Sequence, residues 1–510
     1  MSSAKRNNFY IIQFIIILLV GGFFLFPLQL QAQMLIVGSP QEDSLRMAQL
    51  TGLNQPMVSM AVRPVELRTA EISWKKIQVS ALPVTLITQY NSHRPFGWND
   101  GAMIMARGLQ TFVRAGFYLR FGVLEVQLAP EWVNAVNNPY DTSIYWGSKS
   151  AGTYNKFFPG QSAVSIRLGK VSIGVSTQNL WWGPGLRSSL LMSNNAPGFV
   201  HAFIRSNQPI KTPVGSFEWQ LIGSKLDSDT TQPYENMNLK LTQSSFPATW
   251  RYQSAFVFSY QPKWIPGLFL GMTRSLQRFQ KDIGLGGDNF LKKYVPVVTK
   301  AFQKKNEPND DFENTDQLAS FFFRWIMPQS RWEFYGEWGY NDYKQNLRDL
   351  TMDATHSAAY ILGARKLFLT NKSQILISIE TLKQTETPSY LLRGAGLWYV
   401  HGGDNGYSNF NQILGAGVGY GTDLQTMHIL YKRLNKPITW AMNFDLIQRH
   451  QEKVETVFVD KRFQLEFKYS CNKISFLQNF GIVRTQNFGW EKGNSQSNFF
   501  WQSSISVIPW

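Results

Sequence analysis

The sequence predicts an all-β protein, an antiparallel transmembrane β-barrel of about 16 to 18 strands with a small N-terminal periplasmic helical part. Three observations lead there. The dominant period is two, so each segment has an oily face and a polar face. Charges recur at mid-strand on the polar parity, among them Glu218, Glu333, Glu337, Glu380, Asp445 and Glu466. Such charges are costly in a closed apolar core and natural around a polar lumen. Third, the chain is 44% hydrophobic and 15% aromatic, yet its mean hydropathy is only −0.22. Helical membrane proteins score well above zero, whereas a barrel wall hides its oily half in the average.

Taken in order, the chain begins with Lys5 and Arg6, then an apolar run from Phe9 to Leu28, then LQLQAQ. This order predicts a secretory signal peptide over 1–33, with Ala32 or Gln33 as the last residue removed. An uncleaved anchor is the alternative, because the run is long and no clean small-x-small site follows. Residues 34–70 form the expected helical segment. Ser39 is placed to cap the helix, Pro40 suits its first turn, and Glu42 completes a capping box. Gly52 is placed to end it.

Residues 71–510 carry the barrel pattern. Leu124, Val126 and Leu128 alternate with Glu125 and Gln127. Val164, Ile166 and Leu168 turn at Gly169-Lys170 and resume as Val171, Ile173 and Val175. Trp332, Phe334 and Trp338 alternate with Glu333, Tyr335 and Glu337, and Phe463, Leu465 and Phe467 with Gln464, Glu466 and Lys468. Phe112–Gly122 is a weaker segment. A β-sandwich also alternates, but no linker divides this chain, and a sheet of this length tends to close on itself. The last segment, SSISVIPW, is strand-like and ends on Trp510.

Short turns are expected at one end, as at Gly169-Lys170 and Asn435-Lys436-Pro437, with long connections at the other. The longest spans about Gln280 to Asn314, and its lysines and carboxylates read as a self-neutralising solvated loop. The connection from Pro139 to Gln161 holds Tyr140, Tyr145, Trp146, Tyr154, Phe157 and Phe158. Those rings suit sugar stacking, a girdle on the wall, or packing of the connection itself.

The stretch from Gln178 to Gly223 organises the rest. Trp181 and Trp182 are amphipathic rings of the kind found at a lipid–water boundary. Gly183-Pro184-Gly185 forces a tight reversal. Beyond it, Phe217, Trp219 and Leu221 face one way, Glu218 and Gln220 the other.

These residues resemble the Wzi-type capsule assembly family of the bacterial outer membrane. The resemblance rests on NLWWGPGLRSSLLMSNNAP at 179–197, followed by QLIGSKLDSD at 220–229. LFLGMTRSLQRF at 268–279, DQLASFFFRW at 316–325, WEFYGEWGYND at 332–342 and YVHGGDNGYSNFNQILGAGVGYGTD at 399–423 continue it. VGSPQEDSLRMAQLTG at 37–52 resembles the mature start of Bacteroidetes-like members. Two departures stand out: Asn341 replaces an acidic residue usual before Asp342, and Asn195-Ala196-Pro197 lacks an Arg between Ala and Pro.

The resemblance implies an eighteen-stranded outer-membrane barrel that holds capsular or extracellular polysaccharide as a non-catalytic lectin. Candidate polysaccharide contacts are Trp181 and Trp182 as an aromatic ledge, Asn194 and Asn195 for hydroxyls, Arg187 and Arg205 for carboxylates, and Tyr407 in the last block. Membrane anchoring by the Trp pair and lumenal ion pairing by the Arg residues are the alternatives. The formal charge of +16, or +14 without Lys5 and Arg6, would attract an acidic polysaccharide and equally an anionic lipopolysaccharide. The barrel reading makes outer-membrane lipid a partner and calls for no cofactor or metal. The lone Cys471 excludes internal disulfides and Cys-cluster metal sites.

Nucleic acid is a poor partner for an exported chain without a clustered basic helix. No G-x-S-x-G or H-E-x-x-H motif is present, and His93, His201 and His401 lack recognisable catalytic partners. The chain is expected to be a monomer, and a passive porin for small solutes remains the competing reading, since the alternating wall is common to both.

Overall fold

The computed structural model describes residues 34–52, 58–66, 77–140, 152–228, 250–280, 283, 293–299, 315–341, 357–385, 398–399, 406–451, 454–471 and 473–507. The expected signal peptide, most of the 280–314 connection, Tyr145, Trp146, His401 and Trp510 lie outside these residues.

Eighteen antiparallel strands close into one barrel. They are β1 (Ile77–Asn91), β2 (Gly108–Phe121), β3 (Leu124–Leu128, resuming at Glu131–Ala135), β4 (Tyr154–Phe158, resuming at Ala163–Leu168) and β5 (Val171–Ser176). Next come β6 (His201–Ser206, resuming at Ile210–Thr212), β7 (Gly215–Leu226), β8 (Arg251–Pro262), β9 (Leu268–Phe279), β10 (Asp316–Met327) and β11 (Trp332–Asn341). The rest are β12 (Ala358–Leu369), β13 (Ser373–Lys383), β14 (Thr422–Arg433), β15 (Ile438–Gln451), β16 (Val454–Cys471), β17 (Ile474–Gln486) and β18 (Ser495–Val507).

Closure is made by β1, which pairs with β2 on one side and with β18 on the other. Pro83 cannot donate to a ladder, and the β1–β2 register shifts between Leu82 and Thr85. The weak Phe112–Gly122 segment falls within β2 except for Gly122, which begins the turn to β3. Every connection at the end that holds Gly169-Lys170 is short, and at the other end all are longer except the two residues between β15 and β16.

The wall is inverted relative to a soluble protein. On β11, Phe334 and Trp338 are 37% and 38% exposed, whereas Glu333 and Glu337 are buried. On β16, Phe463 and Leu465 face outward and Arg462 and Gln464 inward. The aromatic connection resolves in the same way. Tyr154 and Phe158 are buried, Phe157 points out, and Tyr140 packs on Phe458, Phe488 and Trp490. In the described residues those rings therefore serve packing and the outer wall.

The inward charges do not face open water. Helix α1 (Pro40–Gln49) stands inside the short-turn end, with Leu50 and Met47 packed on Phe269, Ile326, Leu367 and Leu376. Ser39 caps it by accepting from Glu42 N at 3.4 Å. The Glu42 carboxylate reaches back one residue further than a capping box, to Gly38 N at 2.8 Å. The connections after β1 and β5 and the stretch before β14 also fold inward. Together they build an apolar core within the lumen that includes Trp182, Leu190, Met192, Phe199, Trp398, Tyr399 and Leu414.

Glu333 fastens α1 to the wall. It accepts from Arg46, from Arg324 Nε at 2.8 Å and from Arg365 Nη1 at 3.2 Å, and it is fully buried. Replacing it with Gln leaves three guanidinium groups without their shared counter-charge. Glu333→Gln is expected to destabilise the folded barrel by roughly 3–5 kcal/mol. Denaturant titration in detergent, read by the heat-dependent shift of the folded band, checks this. An unchanged midpoint would remove the helix–wall hub from the account.

Candidate functional site

The Gly-Pro-Gly turn is the centre of the inward-folded chain. Gly183 has φ +100, and a Cβ there would lie 2.7 Å from a Glu337 carboxylate oxygen. A Cβ at Gly185 would meet the Ser188 carbonyl at 1.9 Å. Both positions exclude a side chain. Arg46 Nη2 donates to Pro184 O at 2.6 Å and Arg63 Nη2 to Gly185 O at 3.1 Å. On the far side, Leu186 N and Arg187 N donate to Glu380 at 2.6 and 3.1 Å. The turn is thus held between arginines of the N-terminal segment and a carboxylate of β13.

The seven sequence-predicted site residues do not form one surface. Trp181 and Trp182 are 3% and 0% exposed. They pair in antiparallel register with Arg63 and Val62, inside the barrel. The Arg63 guanidinium lies 4.6 Å from the centre of the Trp181 ring, and Trp182 Nε1 donates to Gln220 at 3.3 Å. The Trp pair therefore touches neither lipid nor solvent. The ledge and the membrane anchor are both corrected by that burial: the neighbouring Gly-Pro-Gly turn carries the rings into the lumen.

Arg205 is buried too, its guanidinium over Phe203 at 4.7 Å and 3.2 Å from Met34 Sδ. The carboxylates of Glu66 and Glu125 act on its charge from farther off. Tyr407 is buried on the opposite flank, accepting from Gln253 Nε2 at 3.0 Å and stacked with Tyr399.

Asn194, Asn195 and Arg187 do come together, through residues that sequence reasoning missed. Asn99 N donates to Asn195 Oδ1 at 3.1 Å, Asn194 Nδ2 donates to Asn99 O at 3.1 Å, and Asn99 Nδ2 donates to Arg187 O at 2.7 Å. Next to Asn99, the half-buried Trp98 is flanked by two guanidinium groups, Arg187 at 5.5 Å and Arg462 at 4.7 Å. The signal available in sequence was the length of the β1–β2 connection, too long for a hairpin and carrying Gly-Trp-Asn-Asp-Gly at its centre.

Below this group lies a cavity of about 310 Å³. Asn99, Asp100 and Asn194 line one part of it, and Glu466, Lys468, Gln502, Ser504 and Ser506 another. Hydroxyls, amides and paired charges of this kind bind polyhydroxylated ligands or water. Burial pushes the Asp100 carboxyl up to about 6, opposed by the Gln89 amide and by the Arg462 and Arg187 charges. His201, by contrast, turns its Nδ1 to Phe199 O at 2.9 Å and is enclosed in the wall. Glu333 and Glu337 are each committed to structural partners. Glu337 accepts from Ser320 Oγ at 2.7 Å and from Leu190 N at 3.4 Å.

A family model described as capsule assembly protein Wzi matches residues 128–473. Among solved structures, the chain resembles Escherichia coli Wzi, described as an outer membrane protein involved in group 1 capsule assembly and a carbohydrate-binding β-barrel. The TM-score is 0.57 at 14% identity, over 94% of each chain. Pseudomonas aeruginosa OccK2 (OpdF) matches at TM-score 0.43 and 8% identity, over 85% of this chain and 97% of the other. No curated protein sequence matches.

Asp100 offers a pH test. Below pH 4 its carboxyl is neutral in the folded and the unfolded chain alike. Between pH 4 and about 6 the folded protein keeps a proton that the unfolded chain releases, so stability falls over that window. Asp100→Asn is therefore expected to stabilise the protein at pH 7.5, by about 1–3 kcal/mol, and to leave it unchanged at pH 4. Denaturant unfolding at the two pH values measures the difference. An equal effect at both contradicts it.

Proposed function

The chain belongs to the Wzi capsule assembly family, and from that premise we propose that it holds acidic capsular or extracellular polysaccharide at the cell surface. It acts as a single-chain, non-catalytic barrel in the outer membrane, its oily wall in lipid and its long connections outward. The start of the mature chain, VGSPQEDSLRMAQLTG, supports a Bacteroidetes-like branch of the family. The ligand class follows that of the E. coli barrel described as carbohydrate binding.

One observation favours retention over a passive pore. The inward segments bond to one another across the lumen: Gly183 N to Ala61 O at 2.9 Å, Ser193 N to Leu414 O at 2.6 Å, and Gly101 N to Asn194 O at 2.7 Å. A lumen crossed by packed backbone suits a surface that holds a polymer better than a conduit for solutes. The half-buried Trp98–Arg187 pair supplies the proposed contact, a ring for sugar stacking and a guanidinium for carboxylates. Asn99, Asn194 and Asn195 supply amides for hydroxyls. Trp181, Trp182, Arg205 and Tyr407 shape the support beneath.

Trp98→Ala combined with Arg187→Gln is expected to lower binding of purified acidic capsular polysaccharide severalfold, with the barrel still folded by its heat-dependent gel shift. Raising the salt should weaken wild-type binding further. In cells, loss of the protein should leave capsule synthesised but shed into the medium. Undiminished attachment, or a large steady conductance in planar bilayers, would return the porin reading.

A further inference from the structure

The outer face of the wall carries a groove of about 1250 Å³ across β10 to β17, and every residue lining it belongs to a wall strand. Phe334, Leu362, Ile379, Met427, Phe444 and Phe463 form its sides and are 36–51% exposed. Lys461 and Arg484 also line it. They stand directly opposite each other on β16 and β17, and both point outward.

This pair is anomalous. Like charges directly opposite on a sheet repel, and cations on a lipid-facing wall are disfavoured. Neither side chain has an ion pair among the described residues. The cross-strand neighbours are Leu446 and Ser497, and the same-face neighbours along the strands are Val459, Phe463, Ile482 and Gln486. None carries a compensating charge.

Height supplies the reason for the pair. Tyr431, Trp440 and Tyr469 make an exposed aromatic row toward the short-turn end. Lys461 lies eight residues before Tyr469 on the same strand. At ~3.3 Å per residue and a tilt near 40°, that separation is roughly 20 Å. The pair therefore sits close to the long-connection margin of an apolar band about 25 Å tall, at the level of outer-leaflet headgroups.

We propose that Lys461 and Arg484 clamp the phosphate of a phosphorylated outer-leaflet glycolipid whose acyl chains occupy the apolar groove. Arg484 presents a planar fork and Lys461 a point charge, together meeting one phosphate. The site rests on the barrel's orientation in the outer membrane and not on polysaccharide retention, so either can fail without the other.

Native mass spectrometry of the purified full chain tests this, with lipid A, dephosphorylated lipid A and phosphatidylglycerol as probes. Wild-type protein is expected to retain one lipid A at least tenfold better than either other lipid. The double variant Lys461→Gln/Arg484→Gln is expected to lose that preference while keeping its heat-dependent gel shift. Equal retention of lipid A by the double variant overturns the proposal. So does equal retention of dephosphorylated lipid A by wild-type protein, a comparison that needs no variant to fold. Phosphatidylglycerol held as tightly as lipid A would overturn the glycolipid assignment.

Discussion

A lumen filled by its own chain imposes one constraint on everything else: each inward polar group must find a partner there. Carboxylates of the wall meet it by gripping the inward segments. Glu218 accepts from Ser59 N, Glu333 from Arg46, Glu337 from Leu190 N, and Glu380 from Leu186 N and Arg187 N. Each bond is intolerant of change, because an unpartnered buried charge costs several kcal/mol (on the order of 3–5). The position of the N-terminal segment and of the 178–197 stretch is therefore written into the strands around them.

The same constraint explains why the molecule has two apolar regions and no dry wall between them. Outward rings such as Phe334 and Trp338 meet lipid, while Trp182, Leu190 and Tyr399 pack together inside. The polar parity of the strands lies between them, facing inward. Tyr335 shows the arrangement in a single residue. Its ring covers Gly363, where any Cβ would approach within 2.2 Å, and its hydroxyl donates to Glu380 at 2.8 Å. A hydropathy average sees neither region, since each is diluted by the polar layer.

The wall was legible in the sequence because strand parity is a local property. Two-residue alternation placed Phe334, Trp338, Glu333 and Glu337 on their correct faces, and Ser39 and Pro40 marked the helix start. Trp181 and Trp182 were not legible. Their burial depends on Val62 and Arg63, more than a hundred residues away, and a Trp pair reads alike at a membrane boundary and in a core. Nothing in the local pattern joined Trp98 to Arg187 and Arg462 either. The Gly-Pro-Gly reversal was visible as a turn, but its clamp by Arg46, Arg63 and Glu380 is a product of the closed barrel.

The choice of cation follows from the filled lumen as well. Among the described residues, eleven arginines are buried and no lysine is, against nine buried carboxylates. Guanidinium is weakly hydrated and can bond several acceptors or lie on a ring, so it tolerates burial that an ammonium does not. Aromatic faces share the accommodation, Arg205 lying on Phe203, Arg187 on Trp98, and Arg63 on Trp181 while also 3.6 Å from the Glu42 carboxylate. A barrel interior arranged in this way carries a net positive charge behind its long connections. Such a field attracts anions of any kind toward that end before they meet any particular side chain.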